Sequence, residues 1–212
     1  MNKTEVINKI REIGVIPVVR ATSAEEAMRA IDAIREGGIS VLEITMTVPN
    51  AFSLIEMVTT RFGSDALVGA GTVLDAETAK SCIASGAQFV VSPALNLDTV
   101  AYCREQDVAV MPGALTPTEV VQAWNAGADF VKVFPAGAVG GPTYLKSLKA
   151  PLPQIELVPT GGVSLKTAAD FIRAGAAALG VGADLVDIKV QSSLITERAR
   201  QFVEIVRQAR EA

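Results

Sequence analysis

Lys132 stands in Asp129-Phe130-Val131-Lys132-Val133-Phe134-Pro135, where the neighbours are apolar and β-prone, so the segment reads as a buried strand with an amine inside it. Glu43 is set the same way in Val41-Leu42-Glu43-Ile44-Thr45. Charges are costly inside apolar strands, and one chemistry that uses such a cost is a lysine desolvated until part of it is neutral. A neutral amine attacks a ketone and forms an iminium, which withdraws electrons from the neighbouring carbon. A structural ion pair, or a lysine snorkelling past the sheet, would leave the same pattern. The chain has no histidine, which excludes a Ser-His triad and a His-rich metal centre and leaves Glu, Asp, Lys or Tyr as the general base.

Two glycine-bearing loops offer a second chemistry. Pro159-Thr160-Gly161-Gly162-Val163-Ser164 and Gly180-Val181-Gly182-Ala183-Asp184 each follow an apolar run near the end of the chain. Backbone N–H groups in such loops, at a helix N-terminus, hold anions, although glycine after a strand also serves plain turn chemistry. Arg20, at the end of Val15-Ile16-Pro17-Val18-Val19-Arg20, is a candidate partner for a carboxylate, against the alternative of a surface arginine.

The elements that must position these groups follow from a repeat. A helix end, a glycine, a small residue, a spacer and an apolar strand recur at Gly37, Gly86, Gly127 and Gly175, at intervals of 49, 41 and 48 residues. Each interval accommodates two strand-helix units, and each glycine fits a helix C-cap. The intervening strands are Val15–Arg20, Leu67–Gly71, Val108–Pro112 and Ile155–Pro159. Ser23-Ala24-Glu25-Glu26 and Thr116-Pro117-Thr118-Glu119 read as capping boxes, and the last helix carries Ile195, Ala199, Phe202, Val203 and Val206 on one stripe. Eight alternating units predict an α/β fold, a closed (β/α)8 TIM barrel, with a doubly wound open sheet as the alternative. Gly69-Ala70-Gly71-Thr72 lacks the third glycine of the dinucleotide fingerprint. Strand parity sends Phe130, Lys132 and Phe134 inward on the sixth strand and Val41, Glu43 and Thr45 inward on the second, so Lys132 and Glu43 can meet across the interior. The same parity puts Arg20, Thr72, Ser92 and Thr160 at strand C-terminal ends.

Composition bounds the rest. The 212 residues are 50% hydrophobic without a linker or a break in composition, which predicts a single domain over residues 1–212. A net charge of -4 with no basic stripe makes nucleic acid and anionic membrane poor partners and a small molecule the better one. The first residues lack a signal-peptide apolar region and no apolar run is long enough to span a membrane, so the expected location is cytoplasmic. Cys82 and Cys103 fall in helical patterns and read as buried thiols.

The series Arg20, Leu42-Glu43-Ile44-Thr45, Val68-Gly69-Ala70-Gly71-Thr72-Val73, Val91-Ser92-Pro93, Met111-Pro112-Gly113, Lys132-Val133-Phe134-Pro135 and Val158-Pro159-Thr160-Gly161-Gly162-Val163 resembles the class I 2-keto-3-deoxy-6-phosphogluconate (KDPG) aldolases, also called 4-hydroxy-2-oxoglutarate (KHG) aldolases. It covers nearly the whole chain in order. The resemblance implies a retro-aldol cleavage without metal or cofactor, in which Lys132 forms a Schiff base with the C2 ketone and Glu43 moves protons. It assigns Arg20, Thr45, Thr72, Pro93, Phe134, Thr160, Gly161, Gly162, Gly182 and Ala183 to substrate binding. It also implies pyruvate as common product, glyceraldehyde 3-phosphate or glyoxylate as the other, and a homotrimer. Two positions depart from the family: Thr47 where some members carry arginine, and Ala183 where many carry a serine that helps hold phosphate. Alanine donates no such hydrogen bond, which gives weight to a non-phosphorylated or shorter substrate. The rival readings are an isomerase or decarboxylase of a phosphorylated sugar on the same barrel and a non-catalytic oligomeric relative.

Overall fold

A computed structural model describes residues 1–211. Helices and strands alternate: α1 (Lys3–Ile13), β1 (Val15–Val19), α2 (Ala24–Glu36), β2 (Val41–Thr45), α3 (Ala51–Phe62), β3 (Leu67–Gly71), α4 (Ala76–Ala84), β4 (Phe89–Val91), α5 (Leu97–Glu105), β5 (Ala109–Met111), β6 (Gly113–Ala114), α6 (Pro117–Asn125), β7 (Val131–Val133), α7 (Pro142–Lys149), β8 (Leu157–Pro159), α8 (Ala168–Arg173), β9 (Leu179–Val181) and α9 (Ser192–Glu211). Strand pairing is parallel, in one sheet ordered β5-β4-β3-β2-β1-β9 and another ordered β6-β7-β8. From β1 to β5 each strand lies beside its predecessor and the last strand pairs with the first. A doubly wound sheet would instead reverse its order at a switch point. The expected fifth strand is split at Pro112. Proline has no N–H to give the ladder, and the chain turns there, so that Met111 O still accepts from Ser92 N while Pro112 O accepts from Lys132 N.

Burial follows strand parity. One face of the strands, with Leu42, Ile44, Val68, Val131 and Val133, packs under the helices. The other face gathers Ile16, Val41, Leu67, Phe89, Met111, Phe130 and Val158 into a second apolar cluster, to which α1 adds Val6 and Ile10. α1 was not foreseen as an element. Its Asn2 and Glu5 form a full capping box, and Lys3 pairs with Asp129 at 3.0 Å, so it sits against the N-terminal ends of the strands.

Other local expectations need amendment. Gly86, Gly127 and Gly175 adopt the left-handed conformation that ends a helix, but in the first repeat Gly38 does so, at φ 94°, while Gly37 stays right-handed. Gly37 is needed for another reason: a Cβ there would lie 2.3 Å from that of Ala199 on α9. Thr116 and Glu119 make the expected box, whereas Glu26 turns to the N–H and hydroxyl of Thr22 and leaves Ser23 capping alone. On α9 the buried stripe is Ile195, Thr196, Ala199, Phe202, Val206 and Ala209, with Val203 half-buried. Cys82 and Cys103 are buried thiols on α4 and α5, each pushed up to about 12, chiefly by burial. No helix among the described residues is long and apolar enough to cross a membrane.

Candidate active site

Glu43 and Lys132 are brought together on the inner strand face. Their side chains are each 3% exposed, with Nζ 3.9 Å from Oε1. That separation is beyond hydrogen-bond reach, and Oε1 has no other hydrogen-bond partner among the described residues. Burial therefore wins: it pushes the Glu43 carboxyl up from its ordinary range, and the Lys132 and Arg20 charges pull it only part of the way back. A buried acid made harder to ionise and set beside a lysine, with an unfilled acceptor facing it, is an arrangement suited to moving a proton.

The room for this pair comes from β3. In register, Glu43 lies opposite Gly69 and Thr45 opposite Gly71. A Cβ at Gly71 would stand 2.0 Å from Glu43 Oε1, and one at Gly69 would strike the Phe89 ring at 2.4 Å. The glycines are thus close-approach positions, a meaning that the failed dinucleotide fingerprint concealed. Just beyond β3, Thr72 is held at φ 59°, an uncommon conformation for a β-branched residue and one that costs energy.

Above the pair, a pocket of about 340 Å³ opens at the C-terminal ends of β1, β7, β8 and β9. It gathers seven residues singled out from the sequence: Arg20, Phe134, Thr160, Gly161, Gly162, Gly182 and Ala183. Lys132 and Glu43 adjoin this lining: Lys132 lies two residues before Phe134 with its Nζ 5.4 Å from that ring's centroid, and Glu43 is in register with the lining residue Val18. The other three do not line it. Thr45 is fully buried and its hydroxyl donates to Val19 O at 3.1 Å, with Thr47 Oγ1 a further 2.7 Å partner. Thr72 lies outside, and Pro93 is pressed against Gly113, where a Cβ would come within 2.2 Å of its backbone.

The loop after β8 differs from expectation. No helix starts at Ser164: its N–H donates to Thr167 Oγ1, closing a turn, and α8 begins only at Ala168 and runs six residues. Loop residues rather than a helix N-terminus therefore line the pocket at Gly161 and Gly162. Sequence reasoning also missed Val18, Val163, Ser164 and Asp184 as lining residues. Asp184 belonged to a quoted glycine loop, but only the fold brings its carboxylate back to Leu165 N, at 3.0 Å. Among the described residues no cluster of three or more His, Cys, Asp or Glu side chains is placed to hold a metal ion.

Parallel strands overlaid by helices, with a pocket at their C-terminal ends, make an α/β enzyme scaffold. The family profile of KDPG and KHG aldolase matches residues 6–201, and the chain belongs to that family of lyases. It is 35% identical over 168 residues to the 2-dehydro-3-deoxy-phosphogluconate aldolase of Haemophilus influenzae, covering 79% of each chain. To the 2-dehydro-3-deoxy-6-phosphogalactonate aldolase of Escherichia coli it is 33% identical over 199 residues, 93% of this chain and 97% of the relative. Among solved structures, the KDPG aldolase of Legionella pneumophila, with pyruvate captured as a covalent carbinolamine intermediate, matches with a TM-score of 0.81 at 28% identity over 98% of both chains.

Proposed function

We propose that this aldolase cleaves a 4-hydroxy-2-keto acid through a Schiff base on Lys132. The 3.9 Å approach of Lys132 to a buried, otherwise unpartnered Glu43 oxygen carries the reading, and the carbinolamine captured in the Legionella relative supports it. The Lys132 amine adds to the C2 ketone, and the carbinolamine hydroxyl takes a proton from the Glu43 carboxyl and leaves as water, giving an iminium and a Glu43 carboxylate. Glu43, directly or through a water, takes the C4 hydroxyl proton while the C3–C4 bond breaks. Its electron pair flows into the iminium, giving an enamine and a free aldehyde. Protonation at C3 and hydrolysis release pyruvate and the free lysine. Because the iminium is the electron sink, the sequence needs neither a metal nor an organic cofactor.

Arg20, exposed at the pocket mouth, would receive a substrate carboxylate, with Phe134, Thr160, Gly161, Gly162, Gly182 and Ala183 around the substrate, while Thr45 braces β1 through Val19 O. The scaffold is read as one domain and as a closed eight-stranded barrel. β5 and β6 count as one strand interrupted at Pro112, and the parallel bridges Leu157↔Ala176 and Thr160↔Gly180 join the two sheets at their other edges. A cytoplasmic homotrimer completes the proposal, with exposed Phe52, Met57, Leu74 and Leu97 as apolar area available to subunit contacts.

The test is pyruvate release from 4-hydroxy-2-oxoglutarate and from 2-keto-3-deoxy sugar acids, with and without 6-phosphate. The wild type should cleave at least one of them in the presence of chelator, and Lys132→Met should cleave none. Full activity in Lys132→Met would remove the lysine from the mechanism.

A further inference from the structure

Phe89 reaches the underside of Glu43 from two strands away. Glu43, Gly69 and Phe89 stand side by side in register on β2, β3 and β4. Strand parity turns all three positions to the inner face, where Gly69 leaves a gap in the row. The Phe89 ring fills that gap: a Cβ on Gly69 would collide with the ring's Cε1, Cε2 and Cζ together, so the ring lies edge-first across β3 towards Glu43. The Glu43 carboxyl fills the next gap on the same face, over Gly71, where a Cβ would lie 2.6 Å from its Cγ and Cδ. Ring edge and carboxyl thus occupy successive spaces along one strand. Phe89 is 1% exposed and Glu43 2%, so bulk water reaches neither, and the ring continues downward into the apolar cluster of Val41, Leu67 and Phe130.

From this geometry we infer that Phe89 is a positioning residue for proton transfer by Glu43: the ring edge laid across Gly69 keeps the carboxyl in a dry site, in the acid form that the loss of water from the carbinolamine consumes. The inference rests on the aldolase reading above and deepens it, since Phe89 touches no substrate and acts only through Glu43. Burial is the largest influence on that carboxyl and opposes its ionisation, whereas the charges of Lys132 on β7 and Arg20 beyond β1 favour ionisation. On β3 the carboxyl meets only glycines, and on β1 it is in register with the apolar Val18. A substitution at residue 89 leaves both cations in place and changes only the access of water.

The test is the pH profile of deuterium exchange at the methyl group of saturating pyruvate, on the full-length wild type and on variants of residue 89. At saturation Lys132 is held in the Schiff base, so the limb that rises with pH follows the conversion of Glu43 to the carboxylate that takes the methyl proton. Phe89→Leu ends at Cδ and lacks every ring atom that lies over Gly69. Its midpoint should fall by about one pH unit. Phe89→Met carries a terminal methyl that reaches as far as the ring edge, and its midpoint should stay near that of the wild type. Phe89→Ile, which also ends at Cδ and suits a strand, takes the place of Phe89→Leu if that variant does not fold. A side chain that merely fills space would change stability and scale exchange alike at every pH. An unmoved or raised midpoint in Phe89→Leu, or an equal fall in Phe89→Met, overturns the role of Phe89 and leaves the aldolase reading standing. No exchange in the wild type at any pH refutes that reading and this inference with it.

Discussion

Burial in β2 makes ionising Glu43 harder in the folded protein than in the unfolded chain, and this has a thermodynamic as well as a catalytic consequence. A carboxyl raised in the fold contributes stability below its ordinary value of 4.5 and loses that contribution as pH rises through the raised value. Glutamine cannot titrate. The stability of Glu43→Gln relative to wild type should therefore increase as pH goes from 4 towards neutral, as followed by urea midpoints across that range. A difference that is flat in pH, or that slopes the other way, would show Glu43 to be ionised as easily inside the fold as outside it. The same variant addresses the proton shuttle: deuterium exchange at the pyruvate methyl group should fall about 100-fold or more, the scale on which a general base acts. Exchange at the wild-type rate would assign that proton to another group.

At the scale of elements, the inner face of β3 is as important as the residue it accommodates. Gly71→Ala inserts a methyl group 2.0 Å from Glu43 Oε1, so the carboxylate must leave its observed position. The expected cost is about 1–3 kcal/mol of stability, as for overpacking elsewhere, together with more than a tenfold loss of pyruvate exchange that pH does not restore. Normal exchange in a folded Gly71→Ala protein would mean that Glu43 does not act from its observed position. What sequence could reveal at this scale followed from periodicity. Alternation in β2 and around Lys132 is enough to turn Glu43 and Lys132 to one face, because side chains on a strand alternate whatever lies beyond it. The Gly71 contact, the Thr167 turn that delays α8 and the reach of Asp184 to Leu165 all depend on distances between segments far apart in sequence. Local pattern carries no such information. The split at Pro112 was the exception that could have been read, since a proline cannot donate within a strand ladder.

Across the whole molecule, the two ends of the strands carry different duties. α1 covers the N-terminal end with Val6 and Ile10, while the pocket opens at the other end. Ile10→Ala should lower stability by about 2–5 kcal/mol and leave kcat/KM nearly unchanged, because the cavity it leaves lies at the end remote from the pocket. An equal loss of activity in folded protein would show the two ends to be coupled. Sedimentation equilibrium should return three times the chain mass if the protein is the proposed homotrimer, and a monomer mass at micromolar concentration would refute that assembly.

The central claim, that Lys132 attacks the ketone, is tested most directly by incubating the protein with pyruvate, reducing with borohydride and mapping the adduct by peptide mass spectrometry. One reduced pyruvyl group per chain on the peptide containing Lys132 is the predicted result. An adduct on Lys146, Lys149 or Lys166 instead, or no adduct in protein that releases pyruvate from its substrate, would contradict it.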